Sequence, residues 1–292
     1  MKKVLIIGHK GFIGKPLVQE LQKLNLTIFT LSRSNKLSKT NFKGSFFDKK
    51  LVTNILKKIK PDIVIHLAWE TTPSLFYISK QNKKWSKRTI EFIKEFYFLG
   101  GSKFIFMSTC EEYGIYENKI KTNEHSPCNP ISNYGIEKNK VSSFLQENYN
   151  QKKWIILRNY FVVGLNERKE KLLSYMINNI KRNKPVILKR PYDIIDIIDV
   201  RDVVNIIKNL LKMNFSGILN IGNSIENSPL DLAKILVSLF GSGKIICDEK
   251  VNNMQKKNYI VSDNTKLKGT LKLTTKFSTL EIIRYMLVNK NV

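Results

Sequence analysis

At 292 residues, with 42% hydrophobic and 25% charged residues, the chain is long enough for one large domain or a core domain with a smaller lobe, and too apolar to be disordered. Its formal charge of +26 raises nucleic-acid or anionic-membrane binding. No zinc-finger spacing, long basic block or aromatic-basic RNA motif accompanies that charge, so it reads as lysine-rich solvated surface, and neither nucleic acid nor membrane is expected as a partner. No apolar run nears the roughly 20 residues that cross a bilayer, and "MKKVLII" is too short for an export signal. Cys110, Cys128 and Cys247 are scattered, as are the three histidines. This predicts no disulfide framework, no metal site and a reducing cytoplasm.

In chain order, short apolar β-branched runs alternate with longer helical patterns, which predicts an α/β fold with a parallel sheet covered on both faces. Strands are expected at 3–8, 26–31, 44–48 ("GSFFD"), 62–68, 103–109, 154–161 and 216–222, several of them apolar almost throughout. Helices are expected at 14–24, 50–59, 83–98 and 134–149. Beyond about residue 165, "RKEKLLSYMINNIKRNKP" reads as a helix stopped before Pro185, "VRDVVNIIKNLLKM" as a second and "SPLDLAKILVSLFG" as a third. The last has a serine cap and a proline in its first turn. The division expected is 1–165 and 166–292, with 200–222 returning to the first part.

The first strand runs into "GHKGFIG", with Gly8, Gly11 and Gly14 three residues apart. A dinucleotide-binding turn needs small residues for a tight bend, a close backbone approach to pyrophosphate, and free N–H groups at a helix start. A plain strand–turn–helix would also accept them. Some 25 residues after Thr109, "NYGIEK" puts Tyr134 and Lys138 four apart, on one helical face. A free tyrosine, with pKa about 10, is a poor base at neutral pH. A charge about 4 Å away in a dielectric near 20 contributes about 4 kcal/mol, or roughly three pKa units. That would make Tyr134 a working acid/base.

These stretches together resemble the extended short-chain dehydrogenase/reductase family. "GHKGFIG" resembles its first turn, "FIFMSTCEEYG" its Ser-Thr-Ser-x-x-Tyr-Gly strand end, and "NEHSPCNPISNYGIEK" the approach to its tyrosine. "LRNYFVVG" and "DIIDIIDVRDVV" resemble later segments, covering nearly the whole chain. The resemblance implies a Rossmann-type doubly wound parallel sheet with a smaller C-terminal substrate-binding lobe, and a homodimer formed through the helices near 83–98 and 134–149. It implies dinucleotide contacts from Gly8, Gly11, Phe12, Ile13, Gly14, Asp48, Leu67, Ala68, Tyr134 and Lys138. Asp48 has a second reading as a helix cap. Where NAD users commonly carry an acid, "LSRS" has Arg33, which favours NADP with NAD as the alternative.

The resemblance also implies Thr109, Tyr134 and Lys138 as a proton-handling triad. Glu111 aligns with the glutamate that dehydratases use to take a proton beside the keto group, although it or Glu112 also reads as structural. Trp69, Cys110, Arg158, Asn159 and Asp196 are expected on the substrate side. Phe161 replaces a sugar-binding Asn, Ile195 an arginine and Asp199 a histidine. "HLAWETTPSLFY" resembles short members linked to deoxysugar ketoreduction. The reading is NADP-preferring reduction of a nucleotide-linked 4-keto-deoxysugar for surface polysaccharide. The alternatives are a nucleotide-sugar 4-epimerase or 4,6-dehydratase with bound NAD, and a non-catalytic cofactor-sensing regulator that binds nucleic acid.

Overall fold

The computed structural model describes residues 1–34, 37–73, 75–115, 119–248 and 257–289. The chain forms two compact units. The first is Met1–Gly114, Cys128–Arg158 and Val204–Leu219; the second is Ile115–Pro127, Asn159–Val203 and Asn220–Val292.

A seven-stranded sheet organises the first unit. Its strands are β1 (Lys2–Ile7), β2 (Leu26–Ser32), β3 (Asn41–Lys43), β4 (Ile63–His66), β5 (Lys103–Thr109) and β6 (Lys153–Asn159). Four short strands follow in the chain, β7 (Phe161–Val163), β8 (Val186–Leu188), β9 (Ile194–Ile195) and β10 (Ile197–Asp199), before the seventh sheet strand, β11 (Gly217–Ile221). The spatial order is β11-β6-β5-β4-β1-β2-β3, and β1 pairs in parallel with both β2 and β4. The chain therefore leaves β1 toward one edge and returns to β4 on its other side. That reversal opens a crevice at the carboxyl ends of β1 and β4, the ligand position of doubly wound sheets.

Burial explains why these runs are strands. Val4 to Ile7, Val64, Ile65 and Phe104 to Phe106 expose at most 2% of their surface, because helices cover both faces. The helices of this unit are α1 (Gly14–Leu21), α2 (Lys49–Ile59), α3 (Gln81–Phe98) and α4 (Asn133–Asn148). The expected strand at 44–48 is absent. β3 lies earlier, and residues 45–48 turn, with the Asp48 amide bonded to the Ser45 carbonyl and the Phe47 amide to the Ser45 hydroxyl. Phe46 gives that run its apolar character by packing among Trp85, His66 and Phe92.

In the second unit, α5 (Leu172–Lys181), α7 (Pro229–Phe240) and α8 (Thr279–Asn289) share a core that includes Leu173, Met176, Leu232, Leu236, Ile282 and Met286. The short strands pair in parallel: β10 with β7, β12 (Ile245–Cys247) with β8, and β13 (Tyr259–Ile260) with β9. Ser228 caps α7 through the Asp231 amide, with Pro229 in the first turn, as its sequence predicts. α5 starts later than expected, at Leu172. The remaining helix, α6 (Val200–Leu210), begins in this unit, and its residues from Val204 on belong to the first. Among the described residues no helix is long and apolar enough to cross a membrane, and no cluster of His, Cys, Asp or Glu could hold a metal ion.

Candidate active site

The glycine turn sits at the crevice. Gly8 has φ +91°, and a Cβ there would lie 2.6 Å from the Ala68 amide nitrogen; on Gly14 it would lie 2.3 Å from the Gly8 carbonyl oxygen. The Gly11 amide closes the turn onto that same oxygen at 3.0 Å, and the Leu67 amide bonds to the Ile7 carbonyl at 2.9 Å. These contacts bring Leu67 and Ala68, just past β4, against the backbone that opens α1. Phe12 and Ile13 lead into that helix, whose first amides have no partner within it. A cradle this tight, ending on a helix start, fits a dinucleotide pyrophosphate. Gly14→Ala is expected to cost more than about tenfold in dinucleotide affinity, measured by calorimetry and accompanied by a lower melting temperature.

Arg33 is exposed just past the end of β2. Lys10, which the sequence reading did not single out, reaches from the glycine turn to the Ser34 carbonyl (2.8 Å) and hydroxyl (3.1 Å). Two cations thus flank the same strand end. Asp48 caps α2, accepting from the Leu51 amide at 3.0 Å, and its side chain stays at the surface.

Across the crevice, β5 delivers Thr109, whose hydroxyl caps the short 3-10 turn Cys110–Glu112 and shares a hydrogen bond with the Tyr134 phenol. Ser132 caps α4 through the Gly135 amide (3.0 Å), which puts Tyr134 in the first turn and Lys138 one turn on. Gly135 is needed where it stands: a Cβ would meet the Glu111 carbonyl oxygen at 2.5 Å, so only glycine lets α4 come this close.

The charges differ from the expected arrangement. The Lys138 ammonium donates to the Met107 carbonyl at 2.5 Å and lies 4.1 Å over the Trp69 ring, 4.6 Å over Phe106 and 5.8 Å from the Tyr134 ring centroid. Burial lowers its pKa to about 7, against an upward pull from Glu112. Burial, together with the neighbouring Cys110 and Glu111, pushes the Tyr134 phenol above its ordinary range. Burial thus favours the protonated phenol at rest.

Trp69, expected on the substrate side, is 8% exposed and gives its indole N–H to Asn82 at 2.8 Å, so its face serves Lys138. Cys110 is also buried. Arg158, also expected on the substrate side, makes structural contacts within its unit. It is 2% exposed, bonds Glu112 through Nε at 2.7 Å and stacks on Tyr113. Glu112, with no exposed surface, takes further donors from Ser142 (2.6 Å) and Ser108, because a buried carboxylate needs a countercharge and filled lone pairs.

Glu111 stays at the site instead. It accepts from the Ser132 hydroxyl (3.3 Å) and from the Tyr77 phenol, and burial raises its pKa. Asn159 is buried at the end of β6. In the second unit Asp196, expected on the substrate side, is buried too, its carboxylate holding the loop amides of Asn223 (2.9 Å), Ser224 (2.9 Å) and Ser262 (3.1 Å).

A sequence model described as "NAD dependent epimerase/dehydratase family" matches residues 4–222. The chain is 30% identical over 277 residues to a dTDP-D-glucose 4,6-dehydratase of Dictyostelium discoideum, a match spanning 82% of this chain and 62% of that protein's own length. Among solved structures it is similar to a UDP-glucose 4-epimerase of Thermotoga maritima with UDP-glucose (TM-score 0.82, 23% identity, 98% and 97% of the two chains). It is also similar to a dTDP-glucose 4,6-dehydratase of Bacillus anthracis in complex with NAD (TM-score 0.81, 19% identity, 99% and 98%).

Proposed function

Because this chain belongs to the NAD dependent epimerase/dehydratase family, we propose that it is a nucleotide-sugar 4,6-dehydratase. This takes up an alternative of the sequence reading in place of ketoreduction. The observation that carries it is Glu111, a buried carboxyl with a raised pKa beside Tyr134, held by Ser132 and Tyr77 while Glu112 is spent on Arg158. A reductase or an epimerase has no need of a second base near its tyrosine. A dehydratase must remove a carbon-bound proton.

A bound nicotinamide dinucleotide would supply reversible hydride acceptance at the sugar. The residues do the rest. Thr109 holds the C4 oxygen, and Tyr134 receives the C4 hydroxyl proton as that carbon is oxidised to a ketone. Lys138 supplies positive charge near the phenol in its protonated fraction. With the ketone in place the C5 hydrogen becomes acidic, and Glu111 would take it as the C6 hydroxyl leaves with a proton as water, leaving a C5–C6 double bond. Cys110, the neighbour of Glu111 in the 3-10 turn, would donate the proton to that leaving group. Glu111 would then give its proton back to C5 as the hydride returns to C6, so that water alone is lost.

Arg33 and Lys10 favour a 2′-phosphate at the adenosine end, which supports NADP beside the NAD of the Bacillus anthracis structure. The substrate is a nucleoside diphosphate hexose. Incubating the purified protein with dTDP-, UDP- and GDP-hexoses and no added reductant, then following product mass, tests the reading. Loss of one water with no net change in cofactor is expected. An unchanged mass with inverted C4 identifies an epimerase. Turnover of only 4-keto sugars with added NADPH restores the ketoreductase. The nucleotide released on denaturation identifies the cofactor.

A further inference from the structure

We propose that Tyr77 is a positioning residue for Glu111: from the strap of residues 75–79, its phenol holds the carboxyl against the start of α4 and keeps the ionised base available. The inference rests on the dehydratase reading and concerns a residue outside the expected site.

The strap is a tight turn, with the Ile78 and Ser79 amides both bonded to the Leu75 carbonyl (3.1 and 2.9 Å). It is pinned at two places. On one side the fully buried Asn82 donates to the Phe76 carbonyl at 2.6 Å and takes the Trp69 indole N–H at 2.8 Å. On the other, the Tyr134 amide donates to the Tyr77 carbonyl (3.2 Å) and the Asn133 side chain to the Ile78 carbonyl (3.0 Å). The rings of Phe76 and Tyr77 stand edge-on to Tyr134, at 5.1 and 6.2 Å between centroids. The strap is thus fixed to the ring that receives the first proton. Tyr77 leaves 37% of its surface exposed but gives its hydroxyl to Glu111.

The titratable groups around Glu111 are Tyr77 on the strap, Tyr134 on α4, Cys110 beside it in the 3-10 turn, and Glu112 next in the chain. Among the described residues, the cations packed nearby are engaged elsewhere: Lys138 donates to the Met107 carbonyl and Arg158 pairs with Glu112. The ionised carboxylate is therefore supported by neutral donors, Tyr77 and Ser132, against burial, which favours the acid form. Ser132 also caps α4, so changing it disturbs the helix. Tyr77→Phe removes the other donor and keeps the ring.

The experiment compares wild type, Tyr77→Phe and Glu111→Gln. The carboxyl C=O stretch of Glu111, assigned as the infrared band missing in Glu111→Gln, is titrated with pH, and water loss from the nucleotide hexose is followed across the same range. In Tyr77→Phe the infrared midpoint and the acid limb of the rate should both move up by roughly one pH unit, with the high-pH plateau retained. An unmoved midpoint, with Glu111→Gln inactive, overturns the role of Tyr77 and leaves the dehydratase reading standing. Water loss that survives in Glu111→Gln overturns that reading and the inference with it.

Discussion

Tyr134→Phe is expected to lower turnover by about 10²- to 10⁴-fold, the range for removing a positioned proton-transfer group, while the protein remains folded. The ring stays packed against Phe76 and Tyr77, and the loss is confined to one oxygen that bonds Thr109. The expectation does not depend on the choice among dehydratase, epimerase and reductase, because each must move a proton on or off a sugar oxygen.

What the structure changes is the origin of the tyrosine's reactivity. At the 5.8 Å that separates the ammonium from the Tyr134 ring centroid, in a dielectric near 20, a full charge contributes about 3 kcal/mol, or two pKa units. Lys138, with a pKa of about 7, carries only part of that charge at neutrality. Burial and the neighbours Cys110 and Glu111 act the other way and prevail. The phenol at rest therefore holds its proton, and it would take the C4 hydroxyl proton only once ionised, the form that a protonated Lys138 favours. Steady-state kinetics on the variant, beside a melting curve, checks the expectation; retention of more than about a tenth of the rate would remove Tyr134 from the chemistry.

Much of this could be read from the residues alone. Strands buried on both faces write themselves as apolar runs, and Ser228-Pro229 announces α7, because both signals are local. The glycine turn was legible for the same reason: Gly8 and Gly14 are dictated by backbone approach, which leaves no alternative residue. The pair Phe46-Phe47 misled, since its apolar character serves a ring cluster with Trp85 instead of a strand. Glu111 and Glu112 could not be told apart by sequence. Their roles are fixed by Arg158, 46 positions from Glu112, and by Tyr77, on a strap whose path depends on Asn82 and Asn133. Lys10 escaped notice because its relation to Ser34 exists only once the first two strands lie side by side.

Lys138→Met is expected to slow turnover by about 10²-fold or more and to make the protein more stable. An ammonium whose pKa falls to about 7 on folding strongly prefers the unfolded chain at neutral pH. The Met107 carbonyl and the Trp69 and Phe106 faces recover part of that cost. A methionine of similar length gives up those contacts and removes the desolvation penalty, for a net gain of about 1–2 kcal/mol, the usual scale when a strained functional residue is relieved.

The sign with pH is fixed by linkage. Between about pH 7 and the ordinary lysine value the unfolded chain holds a proton that the folded protein has released, so wild-type stability from this group rises with pH across that window. Below about pH 7 both states are protonated and the penalty is at its largest and constant. In Lys138→Met this slope disappears, so its advantage over wild type should be greatest in acid and shrink toward alkaline pH. Urea unfolding of both proteins at about pH 6 and about pH 9 measures the difference. An equal advantage at the two values would mean that Lys138 titrates normally in the folded protein, and a variant less stable at both would mean that its contacts outweigh the cost of burying its charge.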